Sequence, residues 1–117
     1  MIQLYIGKMN FDTQKAQRFL KERRVPFQVM DLKKHRLGER ELDLFIRAVG
    51  GVKKLVDRAD PKVSEHPVAF FSTDSLIRDE LLAHPAFLVS PIVRNGQRVC
   101  VGYDKDALEA LVKETPK

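Results

Sequence analysis

Cys100 is the only thiol among the 117 residues, and one thiol can form neither an intramolecular disulfide nor a CxxC redox pair. A multi-cysteine zinc site is excluded for the same reason. Cys100 lies in the run Arg98, Val99, Cys100, Val101, which reads as a strand, and a small buried hydrophobe is its expected role. His35, His66 and His84 lack metal-ligand spacing, so no metal is expected. His84, directly before Pro85, reads as a helix-end residue whose positive form suits the C-terminal dipole. Two further pieces could do chemistry: the loop Gly7, Lys8, Met9, Asn10, Phe11, Asp12, Thr13 and the dipeptide Ser90-Pro91. A helix that begins where a strand ends attracts oxyanions through its free amide groups and dipole. Asn10 and Asp12 can accept those same amide hydrogens, so the loop reads as self-capped rather than as an open anion site.

These residues must be positioned by the elements around them. Ile2, Leu4 and Ile6 alternate with Gln3 and Tyr5, which predicts a strand that ends at Gly7. Ala16, Phe19 and Leu20 give a helical stripe over about 12–24, broken by Pro26. Phe27, Val29 and Asp31 follow as a second strand, completing a βαβ unit with parallel strands. Leu42, Phe45, Ile46 and Val49 form a second stripe that Gly50 and Gly51 terminate. Val52, Leu55 and Val56 repeat the spacing briefly. Asp60-Pro61 and His66-Pro67 then mark an irregular stretch holding Val68, Ala69, Phe70 and Phe71, a run with no clear assignment and a candidate dimer contact. Ser72 or Thr73 can cap a helix with Leu76, Ile77 and Leu81 on its packing face, ended by His84-Pro85. Asn95-Gly96 between two apolar runs predicts a hairpin, because both positions accept positive φ. Asp104 can cap a last helix bearing Ala107, Leu108, Leu111 and Val112, with 115–117 as a frayed tail. The order βαβ, helical insertion, ββα predicts an α/β fold: a mixed four-stranded sheet flanked by helices on both faces, as one domain over 1–117.

Composition bounds the setting. One domain of this length buries a single core, and no stretch is apolar enough to span a membrane. The start of the chain runs directly into strand-like sequence without a basic leader, which is read as a cytoplasmic protein. A net charge of +5 with a pI of about 9.5 fits a mixed-sign solvated surface as well as binding to an acidic partner. Nucleic acid is not the expected partner, since no basic stretch interleaves with aromatics.

Several short pieces recur in a telling order: Leu4, Tyr5, Ile6; Lys15-Ala16; Val29, Met30, Asp31, Leu32, Lys33 with Glu39, Arg40, Glu41, Leu42; then His84, Pro85, Ala86, Phe87, Leu88 leading to Ser90, Pro91, Ile92, Val93 and Val101-Gly102. In this order and spacing the chain resembles the arsenate reductase (ArsC) family with its Spx branch, over nearly its whole length. The resemblance implies a thioredoxin-like fold, with Ser90-Pro91 cis and facing the loop that carries Met9 and Asn10. It also implies glutaredoxin-coupled arsenate reduction by a cysteine five residues before the lysine-alanine pair. Asn10 occupies that position, and an amide cannot form the arsenate adduct that a thiolate forms and passes to glutathione. Where the family places anion-binding arginines, this chain has Ser90, Asp57 and Val101, with Arg58 one residue out of register.

Three functional classes follow. The first is a non-catalytic, protein-binding or regulatory module, as the Spx branch is with RNA polymerase, using Lys33, Lys34, Arg36, Lys53, Lys54 and Arg58 as a basic surface. The second is a thiol-dependent reductase in the family's nominal sense, which Asn10 opposes. The third is a binder of small anions or glutathione, and only here is glutathione expected as a ligand. For the groove, the candidate residues are Met9, Asn10, Phe11, Asp12, Arg58, Ser90 and Pro91.

Overall fold

The computed structural model describes residues 2–70 and 73–113. Strand β1 (Ile2–Ile6) pairs in parallel with β2 (Phe27–Asp31), Ile2 opposite Phe27 and Ile6 opposite Asp31. On its other edge β1 runs antiparallel to β3 (Ile92–Asn95), which pairs with β4 (Arg98–Val101). The sheet is therefore four-stranded and mixed, as the sequence predicts, and its strand order is β2-β1-β3-β4.

Alternation along the strands divides the apolar side chains between the two faces. Ile2, Leu4, Val93 and Cys100 pack against Ala16, Phe19 and Leu20 of α1 (Phe11–Glu22) and against Leu108 and Leu111 of α5 (Lys105–Lys113). Tyr5 and Ile92 face the other way. They meet Leu42 and Phe45 of α2 (Glu39–Val49), Val63 of the short α3 (Pro61–Ser64), and Ile77 and Leu81 of α4 (Asp74–Ala83). The irregular stretch after Asp60 thus contributes Val63 to this core, with Asp60 capping α3 through Lys62 N and Pro61 at its first position.

Helix ends show the local chemistry. Past α1, Val25 N–H bonds the Leu20 carbonyl and Arg24 N–H the Lys21 carbonyl, with Arg24 at φ 54° in the left-handed region. This pairing, rather than Pro26 alone, closes the helix. Gly50 at φ 80° closes α2 as the sequence predicts. Asp104 Oδ1 accepts from Ala107 N at the start of α5.

Three expectations are corrected. The hairpin turn is Gly96-Gln97, because Asn95 still pairs with Arg98; only Gly96, at φ 64°, takes positive φ. Leu76 is 50% exposed, so the packing stripe of α4 is Ile77 and Leu81 without it. Thr73 does occupy the N-cap position of α4, but its side chain makes no capping bond there. Phe71, Ser72 and the tail over 115–117 lie outside the described residues. Among those described, no helix is long and apolar enough to cross a membrane.

Candidate functional site

The end of β1, the start of α1 and the start of β3 converge on one cluster of polar contacts. Asn10 is the N-cap of α1, and its Oδ1 accepts from Thr13 N at 2.8 Å and from Thr13 Oγ1 at 2.7 Å. Its Nδ2 donates to the Ser90 carbonyl at 3.0 Å, and the Ser90-Pro91 bond that follows is cis. The proline therefore faces the α1 loop, as the resemblance implies. Ser90 Oγ lies 2.7 Å from Thr13 Oγ1 and 3.1 Å from the Lys8 carbonyl, both hydroxyls being buried. Two hydroxyl protons serve three short contacts, so neither is left for a ligand.

Lys8 closes the other side. Its Nζ sits 2.7 Å from Asp57 and 2.5 Å from Asp60. Burial alone would lower the Lys8 pKa, but the hydrogen bonds to the two carboxylates outweigh it and raise the value. The bond from Lys8 holds the Asp60 carboxyl below its usual range. The groove of about 410 Å³ beside Asn10 is lined by Lys8, Met9, Asn10, Asp57, Ala59, Asp60 and Pro61. Its one ammonium is already paired by two carboxylates, which disfavours an incoming oxyanion.

The candidate residues fare unequally. Asn10, Ser90 and Pro91 are brought together, but Ser90 and Pro91 are buried, and of the candidates only Met9 and Asn10 line the groove. Phe11 and Met9 project outward, 80% and 53% exposed, beside the buried polar cluster. Asn10 alone caps the helix: Asp12 is exposed in the first turn and opposes anions by its charge only. Arg58 is exposed and is not among the groove's lining residues, whereas Asp57 turns into the site. Of the basic surface, Lys33, Lys34 and Arg36 line one groove against Leu82, Ala83 and Pro85, and Lys33 also borders a groove shared by Met9 and Val29. Lys53 and Lys54 lie on the 3-10 turn after α2 and line neither.

Lys8, Thr13 and Asp60 are site residues to which the sequence alone assigns no role, although Lys8 and Thr13 lie in the loop it singles out. Thr13 could have been found as the third residue after a capping asparagine. The Lys8–Asp60 pair spans 52 positions and leaves no local signal. Cys100 lies on β4 in the core beneath α1 and α5, and burial pushes its thiol pKa up, assisted by Asp104. Among the described residues no three His, Cys, Asp or Glu side chains gather as a metal site.

No protein-family model and no curated protein matches the chain. Solved structures do. The YffB (PA3664) protein superposes with a TM-score of 0.83 at 22% identity, over 96% of this chain and 99% of that one. An arsenate reductase (ArsC) related protein from Brucella melitensis gives 0.69 at 24% identity, covering 93% and 92%. The arsenate reductase from Vibrio cholerae gives 0.72 at 15% identity, covering 96% and 95%. The chain has the thioredoxin-like fold of arsenate reductase-related proteins.

Proposed function

We propose that this chain is a cytoplasmic, non-catalytic relative of the arsenate reductases that works as a protein-binding module at the groove beside Met9 and Asn10. The observation that carries this reading is the Asn10 side chain. It sits at the N-cap facing Pro91, where an ArsC nucleophile would stand, and both ends of its amide are engaged, one by Thr13 and one by the Ser90 carbonyl. An amide there supplies structure and no nucleophile. Paired Lys8 argues against an arsenate pocket, while exposed Met9 and Phe11 offer apolar side chains to a partner. The Spx resemblance makes RNA polymerase the first partner to try.

Two measurements test the reading. With glutathione and glutaredoxin supplied, arsenate turnover should equal the no-enzyme blank in the wild type and in Cys100→Ser; turnover that survives Cys100→Ser overturns inactivity. Asn10→Cys alone should also stay inactive, because Asp57 and Asp60 remain. Affinity capture from native extract should retain a stoichiometric protein that a Met9→Ser/Phe11→Ser variant loses. A partner held equally by both proteins would place binding elsewhere.

A further inference from the structure

A second groove, of about 380 Å³, opens between α2 and the β3–β4 hairpin and is lined by Arg40, Asp43, Leu44, Arg47, Arg94 and Gln97. None of these residues takes part in the cluster around Asn10. Arg40, Leu44 and Arg47 follow at i, i+4 and i+7 and so share one face of α2. Arg94 enters from the sheet, two residues from the buried Ile92 and on the same face. Its guanidinium is held in place: Nε donates to the Gly96 carbonyl at 2.6 Å and Nη1 to the Tyr5 hydroxyl at 3.5 Å. The lining has a single acid, Asp43, and Arg78 pairs with it at 3.3 Å. Arg40 and Arg47 are exposed, and among the described residues neither side chain has a hydrogen-bond or ion-pair partner.

Three guanidinium groups therefore border one groove against a single carboxylate, Asp43, one oxygen of which Arg78 already engages, so positive charge is in excess there. Guanidinium is a planar, weakly hydrated fork that matches tetrahedral oxyanions in a way an ammonium does not. A single carboxylate offers two oxygens and one charge, which one arginine satisfies. A phosphate monoester offers three terminal oxygens and nearly two charges, which several converging arginines suit. Leu44 and the arginine stems add an apolar floor for whatever carries the phosphate. We propose that this groove binds a phosphate group, presented either by a small phosphorylated molecule or by a phosphorylated side chain of a partner.

The test titrates the isotope-labelled full chain with inorganic phosphate and, separately, with a phosphoserine peptide, sodium chloride holding the ionic strength constant. Saturable amide shifts are expected around Arg47 and Gln97. Arg40→Gln/Arg47→Gln should weaken binding at least about tenfold, the scale of one lost charge-assisted hydrogen bond. These are exposed positions where glutamine keeps helix propensity, and circular dichroism checks that the variant is folded. Lys33→Gln/Lys34→Gln should leave binding unchanged. Tighter binding of the phosphopeptide than of inorganic phosphate assigns the partner side chain as the source, and the reverse assigns the small molecule. Absence of saturable shifts, shifts undiminished in the arginine variant, or equal weakening by the lysine variant overturns the proposal.

Discussion

At Asn10 one side chain closes two problems that the fold creates. The start of α1 leaves amide hydrogens without partners, and Oδ1 takes the one from Thr13. The carbonyl ahead of Pro91 is nearly buried with Ser90, and Nδ2 supplies its donor. Removing both bonds at once leaves two polar groups short of partners. Asn10→Ala should therefore lower stability by about 1–2 kcal/mol in urea unfolding, at the upper end of the range for lost caps. Asn10→Ser, which keeps a capping oxygen, should lose less. An unchanged midpoint in the alanine variant would mean that neither bond contributes to the folded state. Much of this was legible: Asn10 as a cap and Ser90-Pro91 as its neighbour come from the sequence and the resemblance. The assignment of Asp12 to the same capping role failed because type and position alone do not say which of two acceptors, two residues apart, the chain turns inward.

At the scale of elements, α2 is tied to the sheet by a polar link inside an apolar core. The Tyr5 hydroxyl donates to Glu41 Oε2 at 2.5 Å, and Glu41 Oε1 accepts from Gly38 N at the start of α2 at 3.0 Å. Burial, and then the bond to Glu41, push Tyr5 from the usual 10.0 up to about 12. Burial works against the Glu41 carboxylate, but the bonds from Tyr5, Gly38 and His35 outweigh it and hold its pKa below the usual 4.5. The signs give opposite limbs. A carboxyl lowered by folding stabilises above its unfolded pKa, so the Glu41 contribution is lost as pH falls below about 4.5 through the folded value. A phenol raised by folding stabilises below its unfolded pKa, so the Tyr5 contribution is lost as pH rises from 10.0 through about 12. Glu41→Gln should flatten the acid limb of the stability–pH curve and Tyr5→Phe the alkaline limb. Acid and alkaline slopes unchanged by both substitutions would show that the link carries no pH dependence. The sequence made the strand and the helix visible through their periods, yet not this link, because 36 positions separate its two ends. The hairpin slipped for a subtler reason: Asn95-Gly96 is a strong turn signal and both residues tolerate positive φ, but pairing of Asn95 with Arg98 keeps Asn95 in the strand, so only Gly96 takes positive φ and the turn moves one residue on.

For the whole molecule, the two sets of buried side chains share one sheet. β1 sends Ile2 and Leu4 to the α1/α5 side and Tyr5 to the α2/α4 side, so neither core survives without the strand that the other needs. The two tyrosines of the chain report on opposite faces, Tyr5 beneath α2 and Tyr103 beside α1 and α5. In a Tyr103→Phe background, and with no tryptophan in the chain, the emission comes from Tyr5 alone. Leu20 is fully buried on the face away from Tyr5, and Leu20→Ala removes core volume there at a cost of about 2–5 kcal/mol. That is a large share of the roughly 5–15 kcal/mol that holds a domain together. If the sheet couples the faces, the loss must appear in the Tyr5 signal although Leu20 never touches that side. The Tyr5 transition should therefore move to lower urea by the full amount and coincide with the loss of helix by circular dichroism. A Tyr5 transition left in place by Leu20→Ala, while the helical signal shifts, would mean that the two faces unfold separately and that the shared strand does not make the fold cooperative.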